Sequence, residues 1–171
     1  MGVGYADLVV GAGVKVTFDL DFLKPTLQQK IDVLQDELLK MPQADIKTIH
    51  SFKDGKYIRK MIAPPWSIII GAEHKCEYKV RLEQGTISVN LGDEIHTLTA
   101  PMAFDAPAGA RRVGYVSDKE LVWVDEYDNP DGCTDIDEIE ERIYVIPACG
   151  MLDKRLALAH NNGVRMLLTE N

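Results

Sequence analysis

The sequence predicts a mainly β protein, closed as an antiparallel sandwich or barrel, and three observations carry that prediction. Seven short runs between residues 57 and 124 show period-2 alternation or high β-propensity. Turn signals separate them at intervals of about 8–12 residues, the spacing of sandwiches and barrels. No helical pattern lies between them, which disfavours a parallel α/β fold.

Taken in order, residues 1–18 mix glycine with Val, Leu and Phe and read as an extended arm or a glycine-interrupted strand. Leu8 to Gly13 resembles the opening of a dinucleotide fold. The third glycine of that fingerprint would fall at Val16, however, and Lys15-Val16-Thr17-Phe18 favours strand over the phosphate-binding helix that must follow. From Lys24 to Lys40, Leu27, Ile31, Leu34 and Leu38 recur at spacings of four, three and four, which predicts an amphipathic helix started at Pro25-Thr26 and ended before Pro42. The β runs are Tyr57–Ile62, Ser67–Ile70, Tyr78–Leu82, Thr86–Val89, Ile95–Leu98, Arg112–Val116 and Glu120–Val124. Lys53-Asp54-Gly55, Pro64-Pro65, Glu83-Gln84-Gly85, Leu91-Gly92-Asp93 and Pro107-Ala108-Gly109 supply the turns. Beyond them, Thr134-Asp135-Ile136-Asp137 has the form of a capping box opening a short acidic helix, and Leu152 to Leu168 carries a broken helical pattern. The expected organisation is an arm and helix over 1–45, a barrel over 46–126 and a C-terminal extension over 127–171.

At 171 residues and 46% hydrophobic content the chain can bury one proper core. Twenty-seven Asp and Glu against 19 Lys and Arg give a formal net charge of −8, which repels a phosphate backbone and argues against nucleic acid as partner. No apolar run is long enough to span a bilayer, and the N-terminus lacks a basic region followed by an apolar one, so the expectation is neither a membrane nor a secreted protein. Cys76, Cys133 and Cys149 are odd in number and far apart, and His50, His74, His96 and His160 are scattered. Neither set spells a disulfide framework or a metal site by spacing. Asp128 to Asp137 lacks the alternating oxygen ligands of a calcium loop.

Between Met61 and Trp123 four local features stand out: His74-Lys75, the hairpin Glu83-Gln84-Gly85-Thr86-Ile87-Ser88-Val89, Ala100-Pro101, and Ala106-Pro107-Ala108-Gly109-Ala110-Arg111-Arg112. Together they resemble the cupins, the double-stranded β-helix or small jelly-roll barrel, and within them small cupin-like proteins of tailed bacteriophages. The Trp123 strand and the following Thr134–Glu140 segment resemble the ending of those proteins.

The resemblance implies where cupin metal ligands would fall. With Gly85 as anchor, the three imidazoles and one carboxylate map to Ala72, His74, Arg112 and Tyr78. One ligand of four remains, and Arg112 can neither deprotonate nor tolerate a divalent ion beside it. Cys76 and Glu77 offer no repair, since alternation along a strand sends them to opposite faces. No metal and no cofactor is therefore expected. Arg112 with His74 suits an anionic ligand, with Tyr78 and Tyr115 as further candidates for its site. On the same residues a metal-free sugar-nucleotide epimerase is conceivable, with His74 as base, Tyr78 or Tyr115 as acid and Asp105 or Glu77 as orienter. The other reading makes Arg112 a buried ion pair with Glu77 or Asp105 in a filled barrel.

The expectation taken from the flanks and the missing catalytic constellation is a non-catalytic phage protein. It would be a structural or assembly component of the virion, in capsid decoration, neck or tail, acting through protein contacts. A homo-oligomer held partly by residues 1–18 belongs to that expectation, as does a place in the virion or host cytoplasm. A ligand-binding protein or sugar epimerase is the alternative.

Overall fold

The computed structural model describes residues 25–145 in full and, outside them, the backbone of strands at 5–10, 14–19 and 164–165. β1 (Tyr5–Val10) and β2 (Val14–Asp19) form an antiparallel two-stranded sheet, so the arm is a hairpin. The helix α1 (Leu27–Leu39) follows. Nine strands come next: β3 (Lys47–Lys53), β4 (Lys56–Ala63), β5 (Ser67–Ile70), β6 (Tyr78–Gln84), β7 (Thr86–Leu91), β8 (Glu94–Thr99), β9 (Met102–Ala106), β10 (Val113–Val116) and β11 (Leu121–Asp128). The helix α2 (Ile136–Ile143) and the two-residue β12 (Val164–Arg165) complete the chain.

Two five-stranded sheets face each other, one in the order β3-β4-β11-β6-β9 and the other β12-β5-β10-β7-β8. From β4 to β11 the pairings nest: β4 with β11, β5 with β10, β6 with β9 and β7 with β8, all antiparallel. A chain folded double in this way wraps as a small jelly roll, the barrel its strand pattern predicts. Strict alternation fills it. Along β4, Tyr57, Arg59, Met61 and Ala63 are buried while the residues between them are partly exposed. Gly85 makes the β6–β7 corner at φ +88°, where an added Cβ would lie 2.6 Å from the Glu120 carbonyl.

Of β3 to β11, two strands lie outside the predicted runs. β3 is an edge strand with no buried residue, so nothing in its sequence had to alternate. β9 alternates Met102, Phe104 and Ala106 against Ala103 and Asp105, but it is short and holds few strong β-formers.

The predicted helix docks on its own barrel. Ile31 and Leu38, with Leu27 and Leu34, cover Ile68, Ile70 and Val113 on the outer face of β5 and β10. Its start is a capping box of Thr26 and Gln29. α2 begins one residue later than the Thr134 box implies. Asp135 is the N-cap and accepts from the Asp137 and Glu138 N–H groups, because a carboxylate satisfies orphan donors and the helix dipole at once. The Leu152–Leu168 pattern falls outside the described residues except at Val164–Arg165, which pairs with β5 of the same chain.

Candidate functional site

The barrel interior holds a cavity of about 60 Å³ whose polar lining includes Arg59, His74, Tyr78, Arg112, Asp125 and Tyr144, with Met61, Ile69, Ile87 and Trp123 among its apolar walls. Alternation explains the charged members. Arg59 shares the inward register of β4 with Tyr57 and Met61, and Asp125 shares that of β11 with Trp123 and Tyr127. Both were readable as charges set at the apolar positions of an alternating run, although the sequence reading passed over them.

His74 is not on a strand; an isolated bridge to Tyr144 and a bond from its N–H to the Ala110 carbonyl hold it. Its ring lies 4.0 Å from that of Tyr78, centroid to centroid, and is nearly parallel to it. Nδ1 is 3.1 Å from the Ala110 carbonyl oxygen, which can only accept, so Nδ1 carries the proton. Nε2 is 2.9 Å from the Tyr127 hydroxyl and accepts from it. Both nitrogens are spent on the fold. Burial, reinforced by Arg112 and Arg59, pushes its pKa down to about 4 against the Ala110 bond, so it stays neutral near pH 7.

Arg112 donates through Nη1 to the Tyr78 hydroxyl, and its guanidinium carbon lies 5.7 Å and 5.6 Å from the ring centroids of Tyr78 and Phe104. Glu77 and Asp105, its expected ion-pair partners, are both exposed, and Arg112 forms no ion pair among the described residues. The reason is register: Glu77 immediately precedes β6, and Asp105 lies at an outward position of β9 beside Lys79. Tyr115 is likewise on the outer face of β10, packed near Trp66, while its neighbour Gly114 lines the cavity.

The charge balance inside the barrel is uneven. Arg59 is 3% exposed, and its Nε and Nη2 have no hydrogen-bond partner; neither does the Arg112 Nε. Facing them is one carboxylate, Asp125, which accepts from the Trp123 indole N–H at 2.7 Å. Burial pushes its pKa up while Arg59 and that indole pull it down. Among the lining residues of the cavity there are thus two guanidiniums and one carboxylate, and a second buried carboxylate, Glu140, acts on the neighbouring Tyr57 and Tyr144. Unpaired buried donors of this kind are costly unless an acceptor reaches them.

The interior does not fit the metal of the cupin type. Ala72 has no donor, Tyr78 is a phenol with its pKa raised chiefly by burial, Arg112 is a cation, and His74 has no free nitrogen. Among the described residues no group of three or more His, Cys, Asp or Glu is placed to hold a metal ion.

Arg112 also forms part of a second space, an outer groove of about 370 Å³ at the barrel mouth. Its walls include Leu27 from α1, Leu91 from β7, Phe104 from β9 and the 107–110 turn. Arg111, next in sequence, points the other way and is bonded to Gln28, Asp32 and Gln35 of α1. Helix and mouth are thus tied together.

No family model matches the sequence, and none of the curated proteins matches it. Solved structures similar to this chain include several described as cupins. One is a cupin domain of an XRE-family transcriptional regulator from Enterobacter cloacae, 12% identical, covering 47% of this chain and 93% of its own, with TM-score 0.42. KdgF from a Halomonas species is 13% identical over 53% of this chain and 88% of its own, with TM-score 0.44. An RmlC-like cupin from Shewanella frigidimarina is 18% identical over 53% and 86%, with TM-score 0.40. The nested strand order, rather than these distant likenesses, defines the class here: a small jelly-roll barrel.

Proposed function

We propose that this chain is a metal-free, non-catalytic binding barrel for a small organic carboxylate. The observation that carries the reading is the buried Arg59, a lining residue of the cavity whose Nε and Nη2 lack partners, while Arg112 adds a second cation. A planar guanidinium fork matches a carboxylate in geometry and charge. The epimerase alternative needs His74 as a base, and both of its nitrogens are engaged. The test is the thermal-unfolding midpoint against acetate, propionate, butyrate and a nucleotide-sugar panel. The carboxylates should raise the midpoint saturably. Arg59→Met/Asp125→Asn, which removes the cation together with the carboxylate it acts on, should stay folded and should no longer respond. A parent protein indifferent to all the acids, or a double variant that responds as the parent does, overturns the reading.

A second reading, a structural or assembly component of a phage virion acting through protein contacts, is supported by the outer strands. β3 presents exposed Ile49 and Phe52, and β8 presents Ile95 at 79% exposure. Cross-linking in assembled particles tests it, and a chain that never co-purifies with particles excludes it.

A further inference from the structure

We infer that the outer groove is the second half of the same ligand site, and that the ligand is a monocarboxylate with an extended hydrocarbon body. This rests on the carboxylate reading of the inner cavity. The inner space of about 60 Å³ takes roughly four to six water-sized groups, by the volume one buried water needs. A carboxylate and a short stub of chain fill it. Arg112 is the residue that lines both spaces, and the route assigned to anything longer runs past it.

The chemistry of the groove then selects the body. Its polar groups are largely committed to one another: the Asn90 amide donates to the Gly92 and Arg111 carbonyls and accepts from the Val113 N–H, and Gln28 accepts from Arg111. What they leave to a ligand is the apolar surface of Leu27, Leu91, Phe104 and Ala108, with the exposed Asp105 at the rim. Apolar walls favour methylenes, and Asp105 repels a second carboxylate at the far end. The molecule that satisfies both compartments has one charged end, at Arg59 and Arg112, and one hydrocarbon end.

Calorimetric titration of the full chain with the series from acetate to octanoate, and with adipate, tests this. Affinity should rise from acetate to butyrate as methylenes meet the apolar walls of the inner cavity. It should go on tightening beyond butyrate, by about twofold to fourfold per added methylene as chain enters the groove, the range set by partial to full burial of a methylene. Adipate should bind more weakly than hexanoate. Leu27→Ser, at a helix start that accepts Ser, and Leu91→Ser should each flatten the long-chain increase while leaving acetate and propionate unchanged. Short acids that bind with no gain beyond butyrate, a gain that survives both variants, or adipate equal to hexanoate overturns the inference and leaves the carboxylate site standing. If no acid of any length binds, the site itself falls, and this extension with it.

Discussion

His74 shows how one position can look functional in sequence and prove structural in three dimensions. A histidine among β runs, in a chain resembling metal-binding barrels, invites a ligand or base role. The fold instead spends Nδ1 on Ala110 and Nε2 on Tyr127 and closes Tyr78 over the ring. The consequence is measurable through pH. In the unfolded chain His74 takes a proton near pH 6.5, whereas in the folded barrel burial delays this to about 4. The stability it contributes is therefore complete above pH 6.5, declines as pH falls towards 4 and is exhausted below, a loss of about 3 kcal/mol. Asp125, whose pKa burial pushes up, works in the opposite sense but does so in parent and variant alike. His74→Gln should be less stable than the parent at pH 7, yet lose less between pH 7 and 4 in denaturant titrations. Parallel losses in the two proteins would show that the ring is not held neutral.

At the scale of elements, the sequence was most legible where burial enforces a period. The Leu27-Ile31-Leu34-Leu38 stripe gave α1, and alternation gave β4, β6, β7 and β11. β3 was invisible because its residues are largely solvated, so no period was imposed on it. Where α1 lands was also invisible. That depends on Arg111, which reaches across 76 to 83 residues of sequence to Gln35, Asp32 and Gln28, and no local pattern encodes such a pairing. Arg111 is only 12% exposed, while its partner Asp32 is 62% exposed, so the net worth of the clamp is moderate. Arg111→Ala should cost about 1–2 kcal/mol in denaturant unfolding, the scale of hydrogen bonds to a charged group discounted for the exposed partner. It should also speed amide exchange in the 107–112 turn, which loses its tie to the helix. Lys40→Ala removes a solvent-exposed ion pair with Glu37 on the same helix and should change neither measurement. If Lys40→Ala matches Arg111→Ala, the clamp is no more than another surface contact.

On the scale of the whole molecule, an acidic chain lines its cavity with cations. The formal net charge is −8, while the described lining of the cavity holds two guanidiniums and one carboxylate. A divalent cation is attracted by the chain's net charge and repelled locally by the two guanidiniums. The donors decide the matter further: a metal needs several lone pairs converging, and the interior offers an alanine, a phenol and a histidine with both nitrogens occupied. Protein purified without an affinity resin should contain well under one equivalent of iron, manganese or zinc per chain, and adding these ions should leave the unfolding midpoint where it was. Arg112→His is the sharper case, since it removes one cation and puts an imidazole at the mouth near His74. Arg59 stays charged and His74 stays committed, so this variant should remain metal-free as well. A full equivalent of metal in either protein, lost again on His74→Gln, would mean that His74 gives up its bonds to Ala110 and Tyr127 for a metal, and that the interior is a ligand set rather than an anion site.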